Sequence, residues 1–333
     1  MIILITGVHG FVGSNLVASF AKNNEIYGLD IIAPEKEGVV KTYSWDDLDA
    51  SRIPDVDAII HLAGKAHDTK NQAAADVYFK VNTELTKKIF DYFLSKPKCK
   101  KFVFFSTAKA AADKVEGILT EDVVPAPVGP YGESKIKAEE YILEKFKEFN
   151  GLSSLREDPL EPFEQLEHLK PTSKDVYIFR PCMIHGPGNK GNLNLLYNVV
   201  KKGIPWPLGA FENKRTFTSI ANICFAVNGV LTKDVPSGIY NMGDDEALST
   251  NELIEEICES LGKKACIWKL PKGLMTGVAK LGDVLHLPLN SERLRKLTEN
   301  YISSNEKIKK ALGIERMPVD ARKGLQVTLK SFR

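Results

Sequence analysis

The chain lacks the long apolar runs of a membrane protein: nothing in its 333 residues approaches the roughly eighteen consecutive apolar positions that a spanning helix needs. The opening stretch Met1 to Ile5 is apolar but short, has no basic lead-in and runs straight into Thr6-Gly7, so neither a signal peptide nor an anchor is expected. Cysteine is scarce, and Cys99, Cys182, Cys224, Cys258 and Cys266 make an odd set without a Cys-x-x-Cys pair. That excludes a disulfide framework or a thiolate zinc site and suits a reducing, cytoplasmic setting. His9, His61, His67, His168, His185 and His286 are scattered and form no ligand set, so metal-free chemistry is expected. An excess of charge is missing too. The 45 basic and 43 acidic residues leave +2, which argues against nucleic acid or an anionic membrane as the main partner. Internal repeats and low-complexity tracts are absent.

What is present is enough apolar material, 43% of residues against 26% charged, for a full core split between two lobes. Short apolar runs alternate with helical patterns through the first half: Ile2 to Ile5, Glu25 to Leu29, Ala58 to Leu62, Lys101 to Phe105 and Val176 to Phe179, with helices such as Phe11 to Ala21 and Asn82 to Leu94 between them. Continuous apolar strands are buried on both faces, which predicts an α/β fold built on a doubly wound parallel sheet. After Pro181 the pattern loosens into short helices, Thr250 to Leu261, Gly273 to Leu281, Ser291 to Thr298 and Asn305 to Leu312, and predicts a smaller α+β lobe. In Ser219 to Leu231, the helical spacing of Ile220, Ile223, Phe225, Ala226 and Val230 points to a return to the first lobe. The expected division is therefore residues 1–180 with about 216–240 in the first lobe, and 181–215 with 241–333 in the second. The polar segment Gly151 to Lys174, carrying Pro159, Pro162 and Pro171, reads as a surface excursion.

The strongest chemical signal is the turn Thr6-Gly7-Val8-His9-Gly10-Phe11-Val12-Gly13 between the first strand and a helix. Such a turn aims free backbone N–H groups at a pyrophosphate while its glycines let the backbone come close, so a dinucleotide site is expected at Gly7, Gly10, Phe11, Val12 and Gly13. The spacing is G-x-x-G-x-x-G rather than the G-x-G-x-x-G of dehydrogenases. Asp30 closes the second strand 20 residues after Gly10, where a carboxylate accepts from the adenosine ribose hydroxyls and repels a 2′-phosphate. Together with the lack of arginine over the next ten residues this favours NAD, while Lys36 leaves NADP open; a loop-capping Asp30 is the plainer alternative.

Four Tyr-x-x-x-Lys pairs occur: Tyr92/Lys96, Tyr131/Lys135, Tyr141/Lys145 and Tyr197/Lys201. That spacing puts an ammonium beside a phenol on one helix face, where it can lower the phenol pKa toward neutrality. Only Tyr131 follows a proline-rich approach, Pro125 to Pro130, which delivers it to a helix start beyond a strand ending in Ser106-Thr107. The two hydroxyls are placed either to orient a substrate oxygen or to cap the following turn.

These residues resemble the extended short-chain dehydrogenase/reductase superfamily, in its nucleotide-sugar epimerase/dehydratase branch, over nearly the whole chain. The likeness includes Asp47-Leu48, His61-Leu62-Ala63-Gly64, Asn82, Tyr131-Gly-Glu-Ser-Lys135, and Arg180-Pro181 with His185-Gly186-Pro187-Gly188. It implies a Rossmann sheet, Asp47 and Leu48 near adenine, and Leu62, Ala63, Gly64, Asn82 and Pro181 around the cofactor. It further implies Tyr131 as acid/base, Lys135 on the nicotinamide ribose and Thr107 as hydroxyl partner. Asn192, Asn194 and Arg215 would hold a nucleotide diphosphate, with Arg293 and Tyr301 as weaker candidates; solvated surface residues are the plain alternative.

Two departures narrow the chemistry. Sugar 4,6-dehydratases carry Asp-Glu after the active Thr, whereas Ala108 and Lys109 follow Thr107, so dehydration is not expected. Typical 4-epimerases continue into Ala-x-Val-Tyr-Gly, whereas this chain reads Ala108-Lys-Ala-Ala-Ala112. Lys109, like Ser106 a candidate on the substrate side, resembles reductases acting on UDP-4-keto-6-deoxy-N-acetylhexosamines. The expectation is redox chemistry at C4 of a UDP-linked sugar in polysaccharide precursor synthesis, as epimerase or as 4-keto reductase with a lean to the latter. A silent dinucleotide sensor and a non-sugar carbonyl reductase are the alternatives. Ile136, Ile142, Leu143 and Phe146 read as spare apolar surface for a homodimer formed by the Tyr131 helix and the helix after Asn82. His185 and Cys182 are placed either on the sugar pocket or in the core.

Overall fold

The computed structural model describes residues 1–66, 74–151, 174–189, 191–286 and 289–333. His67, His168 and all but the ends of the expected 151–174 excursion lie outside these residues. In chain order the strands are β1 (Ile2–Thr6), β2 (Glu25–Leu29), β3 (Lys41–Tyr43), β4 (Ala58–His61), β5 (Lys101–Phe105), β6 (Ile118–Leu119), β7 (Asp175–Pro181), β8 (Met183–His185), β9 (Phe217–Ser219), β10 (Gly238–Met242) and β11 (Ile302–Ser303). Seven of them form one sheet in the order β10-β7-β5-β4-β1-β2-β3, every adjacent pair parallel. This is the doubly wound α/β sheet. The chain leaves β1 toward β2 and β3, then crosses back to β4 on its other side, so the topological switch point lies at the carboxyl ends of β1 and β4. The β-branched and aromatic side chains of β1, β4, β5 and β7 are buried on both faces, which is why periodicity read them as uninterrupted apolar runs.

The helix Ile220–Thr232 does return to the large sheet. Ile220, Ile223, Ala226, Val227 and Val230 pack in one cluster with Ile3, Ile5, Leu16 and Val17, and β10 then adds the edge strand. The second core gathers Leu193, Tyr197, Trp206, Leu253, Ile257 and Leu325 from helices Asn192–Lys201, Thr250–Ser260 and Ala321–Lys330. Among the described residues no helix is long and apolar enough to cross a membrane.

Two expectations need correcting. Asn82 does not open a helix: the chain is helical from Ala75, and Asn82 sits inside a wide turn, Phe79–Glu84, whose hydrogen bonds skip one residue further than in an α-helix. The apolar surface expected to support a dimer is also largely absent. Ile142 and Phe146 are buried against Phe90, Phe93 and Phe104 within the chain, Ile136 is buried as well, and only Leu143 remains partly open. The outer face of that helix presents Lys137, Glu140 and Glu144 instead.

Candidate active site

The turn after β1 is shaped by its glycines. Gly7 has φ +68, and a Cβ there would lie 3.0 Å from the Ala63 nitrogen; at Gly13 it would lie 2.5 Å from the Gly7 oxygen. The start of helix Phe11–Phe20 is thereby pressed onto the strand ends. Gly10 is its cap and supplies no side-chain acceptor, and the first turn carries no acidic residue, so its free N–H groups and positive dipole end suit a diphosphate. Phe11 packs over the turn at Gly186 and Gly188, and Asn15 Nδ2 donates to the Pro187 oxygen at 3.0 Å, which brings the distant Gly-Pro-Gly segment onto the same helix.

At the end of β2, Asp30 accepts the His9 N–H at 3.1 Å and the Ile31 N–H at 2.8 Å. The carboxylate does cap the loop, and the same bonds fix it beside the glycine turn, with lone pairs left for further donors. Lys36 donates to Ser14 Oγ at 2.6 Å; burial pushes its pKa down while Asp30 pulls it up. The Asp47 carboxylate accepts from Ser44 N and Oγ in a capping box and pairs with Arg52, and Leu48 is buried in the core.

Past β4 the backbone is held by a hydrogen-bond chain. Thr86 Oγ1 donates to the Asn82 oxygen, so His61 Nε2 donates to Thr86 and His61 Nδ1 accepts from Thr6 Oγ1 at 2.7 Å. Thr6 Oγ1 in turn accepts the N–H groups of Leu62 and Ala63 at 3.1 and 3.0 Å. Burial, assisted by Lys135, pushes the His61 pKa well down, which keeps the neutral tautomer this chain requires. Asn82 clamps Lys65 through both its N–H (2.7 Å) and its oxygen (3.1 Å) and reaches Ser134 Oγ at 3.0 Å. A Cβ on Gly64 would lie 2.9 Å from Asn82 Oδ1 and 3.1 Å from Lys135 Nζ, so the loop after β4, Asn82 and Lys135 meet in one place.

Tyr131 enters at the first turn of helix Pro130–Phe149, with Pro130 at the first position and Gly129 at φ +85 before it. The helix approaches the turn after β5 so closely that a Cβ on Gly132 would lie 2.6 Å from the Lys109 oxygen, a contact that sequence reasoning passed over although Gly132 adjoins Tyr131. Burial pushes the Tyr131 phenol up, with a small further push from Tyr78, and a hydrogen bond with the Thr107 hydroxyl pulls it back. The other three Tyr-x-x-x-Lys pairs lie on helices Leu85–Ser95, Pro130–Phe149 and Asn192–Lys201, away from helix starts. The Lys135 ammonium donates to the Phe105 oxygen at 2.8 Å, and burial, opposed by Glu139, lowers its pKa to about 8.

Ser106 faces inward. Its hydroxyl donates to Glu139 Oε1, which with Arg180 forms a sealed ion pair (Nη2 to Oε2, 2.6 Å). Glu139 carried no recognisable signal, because its partners come from β5 and β7, far away in sequence. His185 is buried, held by Thr328 at 2.9 Å across the second core, and Cys182 is buried with Ala108, Ala111 and Tyr301, burial pushing its thiol up to about 12.

In the loop after Thr107, Lys109 pairs with Asp113, which also faces Arg295 at 3.5 Å, and Tyr301 donates to the Ala112 oxygen at 2.8 Å. Arg215 donates to the Lys296 oxygen, and its backbone pairs with Leu248 and Tyr301. These residues gather around the loop after Thr107. Asn192 stands exposed at the start of helix Asn192–Lys201, whose cap Gly191 offers no side chain, while Asn194 donates to the oxygen of buried Asn189. The Arg293 N–H is taken up by Asn290 in capping helix Ser291–Thr298, one element away.

A glycine cradle at the switch point, a carboxylate fixed beside it, and a Thr-Tyr-Lys group at the next strand end suit a dinucleotide and a proton transfer next to it. The chain is 29% identical over 293 residues to a UDP-glucose 4-epimerase of Vibrio cholerae, covering 81% of this chain and 78% of that protein. It is 26% identical over 285 residues to a dTDP-4-dehydro-6-deoxyglucose reductase of Escherichia coli, covering 80% and 83%. The crystal structure of UDP-N-acetylglucosamine 4-epimerase from Bacillus cereus shares the fold, with a TM-score of 0.71 at 20% identity over 100% of this chain and 98% of that one. The model of the NAD dependent epimerase/dehydratase family matches residues 3–243, and with the glycine cradle and the Thr107-Tyr131-Lys135 group inside that span the chain belongs to this family of NAD-dependent enzymes.

Proposed function

We propose that the enzyme carries out redox chemistry at C4 of a UDP-linked sugar, with reduction of a 4-keto sugar favoured over epimerisation. One observation carries this: the Tyr131 phenol is hydrogen-bonded to the Thr107 hydroxyl, and the residues that follow Thr107 are Ala108 and Lys109. A phenol and a hydroxyl can pass one proton to or from a sugar oxygen. Taking a carbon-bound proton at C5 and supplying another at C6 calls for carboxylates, and the nearest one along this turn, Asp113, is tied to Lys109 and Arg295.

The cradle fits the cofactor, since the backbone at Gly7 and Gly13 packs too closely on Ala63 and Val8 to admit a Cβ, and the helix start beyond it carries neither a side-chain cap nor an acidic residue. Gly7, Gly10 and Gly13 with Phe11 and Val12 would hold the diphosphate, Asp30 the adenosine ribose, and Lys135 with Asn82 the nicotinamide end beside Leu62, Ala63, Gly64 and Pro181. NAD bound there supplies the hydride donor or acceptor. Thr107 and Tyr131 hold the C4 oxygen, Tyr131 donates its proton to that oxygen on reduction and takes it back on oxidation, and Lys135 keeps a positive charge below it. The second lobe, residues 181–215 and 241–333, would grip the nucleotide diphosphate through Arg215 and the open helix start at Asn192.

The lean to reduction follows from Lys109 and from the absence of Val-Tyr-Gly after Thr107. The test uses two incubations. One holds UDP-glucose or UDP-N-acetylglucosamine without added cofactor; the other holds a UDP-4-keto-6-deoxy sugar with NADH. Stoichiometric NADH oxidation in the second alone is the expected result. Interconversion in the first makes the enzyme an epimerase, and silence in both while dTDP or GDP sugars react removes the choice of UDP.

A further inference from the structure

The helix Lys272–Leu285 leaves most of its large apolar side chains in the open. Its buried positions are Met275, Ala279 and Gly282, and at Gly282 even a Cβ would collide with the Leu289 backbone oxygen. Its large apolar side chains face outward: Leu274, Val278, Leu281 and Leu285 are between 40% and 57% exposed, and Val284 is 73% exposed. At helical spacing the first four form one narrow stripe. Trp268, 52% exposed, stands in the segment that leads into the helix.

Charge along the segment that carries this stripe is of one sign. Residues 260–282 contain Lys263, Lys264, Lys269, Lys272 and Lys280 and no aspartate or glutamate, although the whole chain is nearly neutral. All five lysines are exposed. The next acid, Asp283, is turned to the N–H of Ser291 at 2.9 Å and the Ser291 hydroxyl, on the side of the helix opposite the stripe. We propose that this face docks on the surface of an anionic lipid bilayer, with Leu274, Val278, Leu281, Val284 and Leu285 entering the headgroup boundary, Trp268 at its edge and Lys269 and Lys280 toward the phosphates. A second copy of the chain fits less well, because a two-fold pairing of the stripes would set lysines against lysines.

The helix that carries the docking face is linked to the site through one neighbouring helix. Helix Ser291–Thr298 packs on Lys272–Leu285, its Arg295 faces Asp113 at 3.5 Å, and Asp113 holds Lys109, two residues from Thr107. Docking would present the second lobe to the membrane surface whichever direction of C4 chemistry operates.

Co-sedimentation of the purified full chain tests this with vesicles of phosphatidylglycerol and phosphatidylethanolamine against vesicles of phosphatidylcholine. Binding to the anionic vesicles alone, weakened by salt, is expected. The paired change Leu281→Gln/Leu285→Gln should abolish it, and Lys269→Gln/Lys280→Gln should weaken it roughly 25-fold, about fivefold per lysine. Turnover of a water-soluble substrate should stay at the wild-type level in both variants, which shows that they fold. No binding at millimolar anionic lipid, or binding untouched by either pair, overturns the proposal. A wild-type dimer in sedimentation velocity that Leu281→Gln/Leu285→Gln converts to monomer overturns it in favour of self-association.

Discussion

Glu139 receives both Arg180, through Nε at 3.0 Å and Nη2 at 2.6 Å, and the hydroxyl of Ser106, with all three side chains buried beneath Lys135. The carboxylate balances the guanidinium and lies one helical turn beyond Lys135, whose pKa it raises against burial.

Replacing Glu139→Gln leaves Arg180 uncompensated and should cost roughly 3–5 kcal/mol of stability. It should also move the Lys135 pKa below its present value of about 8, so the alkaline limb of the pH–rate profile shifts to lower pH. The double variant Glu139→Leu/Arg180→Met should regain much of the stability but not the alkaline limb. Denaturant melts and a pH profile of the three proteins separate the two effects.

Lys135 itself makes stability depend on pH. Its folded pKa of about 8 lies below the ordinary 10.5, so the folded state binds this proton less well than the unfolded chain does. The penalty is complete below about 8 and is relieved as pH rises toward 10.5. Wild type should therefore gain stability relative to Lys135→Met between these values and not between pH 6 and 7. Parallel thermal melts across that range check the sign.

Tyr131→Phe removes the proton donor and keeps the ring. Turnover should fall by roughly 10² to 10⁴-fold while the dinucleotide still binds. Because burial holds the phenol above its ordinary value, the wild-type rate in the oxidative direction should climb with pH, and that climb should vanish in the variant.

At the cradle, Gly13→Ala places a methyl 2.5 Å from the Gly7 oxygen and 2.9 Å from Val8 Cα, both backbone atoms. It should cost roughly 1–3 kcal/mol of stability as well as cofactor affinity. Gly10→Ala meets only the Gly7 oxygen, at 3.1 Å, and should lose affinity with much less effect on the melt. An equal drop in melting temperature for both would contradict the assigned geometry.

Asp30→Ala removes an anionic acceptor fixed by the His9 and Ile31 N–H groups. NAD affinity should drop about tenfold or more, and NADP affinity much less, since the variant also loses a charge that repels a 2′-phosphate. Calorimetric titration of both cofactors decides it.

The parallel sheet, the glycine turn, Asp30 and the Tyr131 helix start were legible in the sequence because each depends on residues close together: apolar runs that must be buried on both faces, a turn without room for Cβ, a proline at a helix start. The site's supports were not. Glu139 meets Arg180 across 41 positions and His185 meets Thr328 across 143, pairings that local patterns do not encode and that only the packing of distant strands and helices brings about. The exposure of Ile142 and Phe146 was misread for the same reason, since the periodicity that marked them as an apolar face could not say that the chain's own Phe90 and Phe93 cover it. At Lys272–Leu285 local pattern showed a helix over Gly273 to Leu281, and only the packing of the chain turns Met275, Ala279 and Gly282 inward. Gly282 fits against the Leu289 backbone where no side chain would, and that contact leaves the leucines facing water.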